Sequence, residues 1–156
     1  MDEQPLRDRI QELIRQFGLL DHEHTPCGRP VPTSQAHAIQ VLGLLGTATQ
    51  RELAARLNLD ESTVSRLVDH LVQRGWLERA VDEHNRRRSR LTLTAEGRAV
   101  LADICQASAA KFRLIQERIP PERRKQVLDA LETLIAAIGK DDMHHADLPD
   151  VHPHTS

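Results

Sequence analysis

The sequence is poor in aromatic residues, in cysteines and in long apolar runs. Its 156 residues include two Phe, one Trp and no Tyr, so the core must be aliphatic, which favours helices packed on helices. Two cysteines are too few for the disulfide framework of a small secreted domain. No apolar run approaches the roughly 18 residues of a membrane-spanning helix, and no signal-peptide pattern is present. We therefore expect one mainly α-helical domain in the cytoplasm, with no membrane partner.

Acidic and basic residues nearly balance, but their distribution is uneven. The formal net charge of −2 by itself argues against a protein that binds nucleic acid. Between Thr47 and Thr94, however, there are nine arginines and seven acidic residues, whereas the rest of the chain carries twelve basic and sixteen acidic residues. Four of those arginines fall between positions 86 and 90. Such a focused basic patch can neutralise the phosphates of DNA.

Apolar residues at helical spacing predict two helices near the N-terminus. The first covers residues 3–20 and is amphipathic. A loop rich in proline occupies residues 21–33. The second helix begins near Thr33 or Ser34 and ends by Gly46.

Two short helices joined by a tight turn are predicted next. Thr49 and Glu52 have the spacing of a capping box, which marks a helix start. Asn58 can adopt the left-handed conformation that ends this helix. Asp60 then caps a second helix, and Gly75 follows its last turn. The arrangement is typical of a helix-turn-helix.

The second of these helices has one apolar and one polar face. The polar face carries four residues at helical spacing: Ser62, Arg66, Asp69 and Gln73. A helix that enters the major groove of DNA needs short polar side chains near its start. Ser62, Thr63, Ser65 and Arg66 satisfy this requirement. The alternative is a solvated helix face without a binding role.

After Gly75 the apolar residues alternate with a period of two. Residues 76–81 and 90–93 are predicted to form two strands around a polar turn at residues 82–89. This hairpin would be a wing, with its arginines at or just beyond the tip. The alternative is again a solvated surface hairpin.

Helical patterns return after the hairpin. Thr94 opens a long helix that runs to about Ile119, where two prolines break it. A last helix covers about residues 122–138. Residues 141–156 are polar and rich in His, and we expect a disordered tail there.

The segment from Asp82 to Gly97, which reads DEHNRRRSRLTLTAEG, resembles the wing signature of the MarR family of regulators. The resemblance extends from the first helix to Ile138. The sequence departs from the family at Asn85, where the family has an aspartate whose ion pair would brace a wing arginine. In the family, a recognition-helix aspartate at the position of Asp69 pairs with the wing arginine at the position of Arg87. The resemblance therefore implies that Asp69 supplies the brace.

The resemblance implies a mainly α fold with a small β-hairpin wing. One MarR-like domain would cover residues 1–140, with a winged helix-turn-helix at 33–97 and dimerisation helices at 1–20 and 98–138. The homodimer would bind double-stranded DNA at a pseudo-palindromic operator as a sequence-specific transcriptional regulator, by family default a ligand-responsive repressor. Each recognition helix would enter a major groove, and each Arg-rich wing a minor groove. The expected DNA contacts are Gln50, Arg51, Ser62, Thr63, Ser65, Arg66, Arg86, Arg87, Arg88 and Arg90.

The loop between the first two helices contains potential metal ligands. His22, His24, Cys27 and His37 lie close together in sequence and offer imidazole and thiolate groups that suit Zn²⁺. A metal-sensing branch of the resembled family also uses histidines of the fifth helix, where this chain has only Cys105. The missing histidines favour the alternative, in which polar loop residues surround a buried thiol. The predicted function requires no cofactor.

The sequence also bears on other kinds of signal and other classes of protein. The peroxide-sensing branch of the family activates its cysteine with tyrosines, which this chain lacks. A disulfide between Cys27 and Cys105 of different subunits stays open, as does a small-molecule effector in the cleft beside the dimer helices. No nucleophile–base spacing, Gly-rich phosphate loop or carboxylate pair indicates an enzyme. The intact wing arginines argue against an interaction module that has lost DNA binding.

Overall fold

A computed structural model describes residues 3–139 of a chain that divides into two compact units, Met1–Arg113 and Leu114–Ser156. The elements in chain order are α1 (Gln4–Phe17), α2 (Thr33–Leu45), β1 (Ala48–Thr49), α3 (Gln50–Leu57), α4 (Glu61–Gln73), β2 (Leu77–Asp82), β3 (Asn85–Leu93), α5 (Ala95–Arg118) and α6 (Pro121–Gly139). The predicted mainly α fold with a small sheet is confirmed. The tail predicted at residues 141–156 lies outside the described residues.

The first helix is shorter than predicted. α1 ends at Phe17 instead of near residue 20, because Gly18 adopts a left-handed conformation with φ +87°. The N–H groups of Gly18 and Leu19 bond back to the carbonyl groups of Arg15 and Ile14, which is the Schellman form of helix end. The apolar spacing continues past Gly18, so the sequence pattern predicted a longer helix than α1.

The caps predicted for the helix-turn-helix are present. Thr49 Oγ1 accepts a hydrogen bond from the Glu52 N–H at 3.1 Å, and the Glu52 carboxylate accepts one from the Thr49 N–H at 2.8 Å. Asn58 ends α3 with φ +54°. The Asp60 carboxylate accepts a hydrogen bond from the Thr63 N–H in the first turn of α4. These short-range bonds set where both helices begin.

The sheet has three strands, one more than predicted. All pairs are antiparallel and the order is β1-β3-β2. The additional strand, β1, has only two residues and pairs with β3, with Ala48 opposite Leu91 and Thr49 opposite Arg90. Two residues are too few to show an alternating pattern, so the sequence did not indicate this strand.

The hairpin turn is also shorter than predicted. Only Glu83 and His84 connect the two long strands, so the prediction of a turn over residues 82–89 was wrong. Residues 85–89 belong to β3. The sequence of this segment is polar and shows no apolar alternation, so it did not indicate a strand.

The core of the first unit is aliphatic and lies between the helices and the sheet. Its largest fully buried side chains are Ile39, Leu42, Leu53, Leu71, Leu91, Ile104, Val64 and Val68. Burying one such side chain stabilises the fold by about 1.5–3 kcal/mol. Leu45 and Val72 continue the apolar spacing of α2 and α4 but are exposed, because each lies at the end of its helix. The core holds α3, α4 and the hairpin in fixed positions.

Two helices, one from each unit, keep their apolar side chains at the surface. None of the residues of α1 is buried, and Leu6 and Leu13 are 57% and 50% exposed. None of the residues of α6, all of which the structure describes, is buried either; Ile135 is 66% exposed. Among residues 3–139, no helix combines the length and apolar character needed to cross a membrane.

Candidate nucleic-acid interface

The helix α4 separates a buried apolar face from an exposed polar face. Val64, Leu67, Val68 and Leu71 are buried in the core. The predicted polar face, residues Ser62, Arg66, Asp69 and Gln73, is exposed. This separation confirms the amphipathic pattern and leaves the polar face of α4 free to meet a ligand.

The first turn of α4 is organised around Asp60. The carboxylate accepts hydrogen bonds from the Ser62 hydroxyl, from the Thr63 hydroxyl at 2.5 Å and from the Thr63 N–H at 3.1 Å. These bonds stabilise the charged form and hold the pKa of Asp60 well below its usual range, the Ser62 hydroxyl making the largest contribution. Two of the predicted DNA contacts are therefore fixed by a third residue that the sequence marked only as a cap.

The predicted contacts Gln50 and Arg51 open α3, close to this turn. Gln50 is half-buried and Arg51 is exposed. The Nε of Arg51 lies 3.9 Å from a carboxylate oxygen of Glu61 on α4. This long ion pair joins the first turns of the two helices. A phosphate contact by Gln50 or Arg51 stays a prediction.

The four clustered arginines of the basic run lie on β3. Val81 of β2 is opposite Ser89, and its neighbour Asp82 is opposite Asn85, so the register shifts between them. Residues 86–88 consequently bulge from the regular ladder, a feature that bends and twists a strand. The side chains of Asn85, Arg86, Arg87 and Arg88 lie outside the described residues, so their predicted DNA contacts and the bracing role of Asn85 stay predictions.

The fourth arginine of the run, Arg90, is placed differently from its prediction. It is half-buried, and its Nε donates a hydrogen bond to the Thr47 hydroxyl at 3.3 Å. Thr47 immediately precedes β1, so Arg90 is engaged with the β1 edge of the sheet and not with the hairpin tip. The cause is the short turn, which places position 90 well inside the strand.

The recognition-helix aspartate has a partner that the sequence did not indicate. Asp69 accepts a hydrogen bond from Arg79 Nη2 of β2 at 2.5 Å. The expected partner was Arg87, whose side chain is not described. Asp69 therefore does connect α4 to the hairpin, but through a residue of the first strand. Only the pairing of α4 with β2 in space brings these positions, ten residues apart, together.

The predicted zinc ligands are not brought together within one chain. The side chains of His22 and His24 are exposed, and His24 Nδ1 lies 3.3 Å from an Asp21 carboxylate oxygen. Cys27 Sγ instead contacts the Thr25 hydroxyl at 2.9 Å. Within residues 3–139, no group of three His, Cys, Asp or Glu side chains is arranged to hold a metal ion. The turn around Asp21 holds the His24 imidazole at the surface, so the predicted ligand set is not assembled within residues 3–139.

A cavity of about 190 Å³ lies in the first unit between α1, α2, α5 and the loop before α2. Its lining includes Cys27 and His37, with Phe17 and Phe112 among the apolar residues. The Nζ of Lys111 donates hydrogen bonds to the carbonyl groups of Pro26 and Phe17. Aromatic walls beside a fixed cation form a site suited to a small organic ligand.

The segment that contains the helix-turn-helix and most of the hairpin matches a known family. The model of the MarR family matches residues 30–88, from the end of the loop before α2 to the arginines of β3. Over these residues the chain is similar to the MarR family. The prediction from the wing signature is confirmed.

A relative and two solved structures extend this similarity. The HTH-type transcriptional regulator BilQ of Clostridium symbiosum is 30% identical over 92 residues, which are 59% of this chain and 61% of BilQ. FabT of Streptococcus pneumoniae, solved in complex with DNA, has a TM-score of 0.77 and 21% identity, over 88% of this chain and 98% of FabT. The PcaV transcriptional regulator of Streptomyces coelicolor, solved with its natural ligand, has a TM-score of 0.68 and 22% identity, over 88% of this chain and 97% of PcaV.

The two solved structures support the fold of the protein. At the identities of FabT and PcaV the similarity shows the fold alone, and the predicted winged helix-turn-helix is confirmed. BilQ and PcaV are both named as transcriptional regulators. The chain spans 61% of the length of BilQ.

Proposed function

We propose that this MarR-type chain is a sequence-specific DNA-binding transcriptional regulator that acts as a homodimer. The observation that carries the proposal is the geometry of α4. Its apolar face is buried in the core, while Ser62 and Arg66 are exposed one turn apart on the opposite face. A helix presented in this way can enter the major groove, where an arginine reads guanine and hydroxyl groups read several bases.

The hairpin would add contacts beside those of α4. β3 carries four arginines, and the Asp69–Arg79 bond connects the hairpin to α4. A basic wing next to a recognition helix can reach the adjacent minor groove and its phosphates. FabT, a structural neighbour solved with DNA, has the same fold. We infer that helix and wing bind neighbouring grooves of one half-site.

The homodimer explains the uncovered apolar helices. Monomeric proteins rarely expose contiguous apolar surfaces of this kind. α1 exposes Leu6 and Leu13, and α6 exposes Leu128, Leu131 and Ile135. A second copy that covers these helices would place two α4 helices on one DNA duplex. Such a dimer binds a pseudo-palindrome whose half-sites lie about one helical turn, roughly 34–36 Å, apart.

We also propose that a small organic effector binds in the cavity of the first unit and shifts DNA affinity, by family default relieving repression. The cavity is flanked by Phe17 and Phe112, whose ring centroids are 5.9 Å apart. The buried Thr33 Oγ1 has no hydrogen-bond partner among the described residues and lies in its lining. A phenolic or carboxylate ligand would use the apolar walls, this hydroxyl and the charge of Lys111.

Measuring DNA affinity as a function of salt tests the central proposal. Selection from random duplexes should yield a pseudo-palindrome, and the logarithm of its affinity should fall linearly with the logarithm of salt concentration, because binding releases counterions from the phosphates. Arg66→Ala should reduce discrimination between the selected site and random DNA by about 5- to 150-fold. Arg74→Ala, at the end of α4, is the control and should leave discrimination unchanged. A salt slope near zero would contradict DNA binding as proposed.

A further inference from the structure

In the first turn of α4, the hydroxyl protons of Ser62 and Thr63 are both directed at Asp60. One carboxylate oxygen of Asp60, Oδ2, accepts bonds from the Ser62 hydroxyl and from the Thr63 N–H. The other oxygen, Oδ1, accepts a bond from the Thr63 hydroxyl at 2.5 Å. Ser62 is exposed and Thr63 is half-buried, so both hydroxyl oxygens stand at the surface that would meet DNA.

The direction of these bonds follows from the chemistry of the carboxylate. An ionised carboxylate has no proton to give and only accepts hydrogen bonds. Three donors converge on Asp60, and they lower its pKa, so it is ionised at neutral pH. Each hydroxyl therefore directs its single proton at Asp60. What remains on each hydroxyl is its pair of acceptor sites.

We propose that Asp60 is a specificity-determining residue of the recognition helix, because it makes Ser62 and Thr63 act towards DNA as hydrogen-bond acceptors only. The inference rests on the proposed function. In the major groove, the hydrogen-bond donors are the N6 amino group of adenine and the N4 amino group of cytosine. Guanine and thymine present the acceptors O6 and O4 at the corresponding positions. The two hydroxyls therefore select adenine or cytosine and are disfavoured against phosphate oxygens.

With this assignment, the polar face of α4 carries two kinds of base-contacting side chain, one that only donates hydrogen bonds and one that only accepts them. Arg66 carries only donors and suits the acceptors of guanine. Ser62 and Thr63, held by Asp60, suit bases that carry amino groups. Without Asp60, a hydroxyl can reverse its direction, and the same side chain tolerates every base. The carboxylate thus restricts the bases that each hydroxyl can recognise.

Asp60→Asn changes the direction of one hydroxyl and leaves the other as it is. Asn is as good an N-cap as Asp, and its amide oxygen must take the place of Oδ2 to accept the Thr63 N–H and the Ser62 hydroxyl. The amide NH₂ then occupies the place of Oδ1 and donates to the Thr63 hydroxyl oxygen. That releases the Thr63 proton towards DNA, while Ser62 still donates to residue 60.

The test compares the base preferences of four full-length proteins by selection from random double-stranded DNA. Thr63→Val locates the base position that the Thr63 hydroxyl reads, because preference there is lost. At that position the wild-type protein should prefer adenine or cytosine. Asp60→Asn should shift the preference there towards guanine or thymine by about 3- to 10-fold, the worth of one hydrogen bond. The position read by Ser62 should not change.

Glu61→Gln is the matched control, since it removes one negative charge from the same turn without touching either hydroxyl. It should raise affinity for all sequences alike. Equal profiles for Asp60→Asn and Glu61→Gln, or a Thr63→Val profile identical to that of the wild type, would overturn the role of Asp60 while leaving DNA binding intact. A wild-type protein that selects no sequence would instead refute the proposed function, and the inference with it.

Discussion

Replacing Gly97 with a larger residue should destabilise the protein, because the backbone of another element lies against it. It lies in the first turn of α5, against the residue that precedes β2. A Cβ at Gly97 would lie 2.0 Å from the carbonyl oxygen and 2.9 Å from the carbonyl carbon of Trp76. Both distances are far inside the roughly 3.5 Å at which nonbonded heavy atoms attract. Gly97→Ala therefore requires movement of the backbone itself.

Gly97→Ala has two effects of opposite sign on the free energy of unfolding, one from helix propensity and one from steric overlap. The measured change in stability shows which is larger. Helix propensity alone favours Ala by about 1 kcal/mol. Overpacking costs about 1–3 kcal/mol where neighbours can adjust. Here the neighbour is the backbone carbonyl of Trp76, which also accepts a hydrogen bond from the Thr94 N–H at 3.1 Å, so the cost should reach or exceed the top of that range. We expect a net loss of about 2–3 kcal/mol, or a melting temperature lower by about 5–10 °C.

Thermal unfolding at one fixed protein concentration measures this effect, since the stability of a dimer depends on concentration. Gly43→Ala is the matched control within a helix, because its Cβ would meet only the end of the Leu101 side chain, at 2.4 Å. A flexible side chain can rotate away, so Gly43→Ala should cost less than Gly97→Ala. A Gly97→Ala protein that melts at or above the wild-type temperature would refute the steric reasoning.

Three further predictions concern the dimer, the effector and the link between helix and wing. Leu131→Asp should yield monomers or insoluble protein by analytical ultracentrifugation, because it places a charge in the uncovered apolar face of α6; a soluble dimer would locate the interface elsewhere. Ser108→Leu should abolish the thermal shift produced by phenolic or carboxylate ligands, whereas Ala109→Leu, on the exposed side of α5, should retain it; a shift retained by both would remove the ligand from this cavity. Asp69→Asn and Arg79→Gln, alone and combined, should show a coupling energy of about 0.5–1 kcal/mol in unfolding, since the two side chains are 56% and 42% exposed. Additive effects would show that the pair does not connect α4 to the hairpin.

Sequence alone determined the features that depend on neighbours along the chain. The capping box of Thr49 and Glu52, the Asp60 cap and the left-handed Asn58 each involve bonds within a few residues, and all are present. The apolar face of α4 could be read from its helical spacing. The wing signature also indicated the family, because it is a contiguous run of specific residues. In these cases the chemistry is local, so no knowledge of the fold was needed.

Only the tertiary structure decided which distant residues meet. Arg90 was predicted to open the second strand, at or just beyond the hairpin tip, but it lies inside β3 and bonds to Thr47, 43 positions earlier. Lys111 bonds to the carbonyl of Phe17, 94 positions earlier, and so helps to form the cavity. Pairing across strands and helices depends on register and packing, which single-residue patterns do not encode. Strand register also decided that residues 85–89, which were predicted as part of a polar turn, belong to β3.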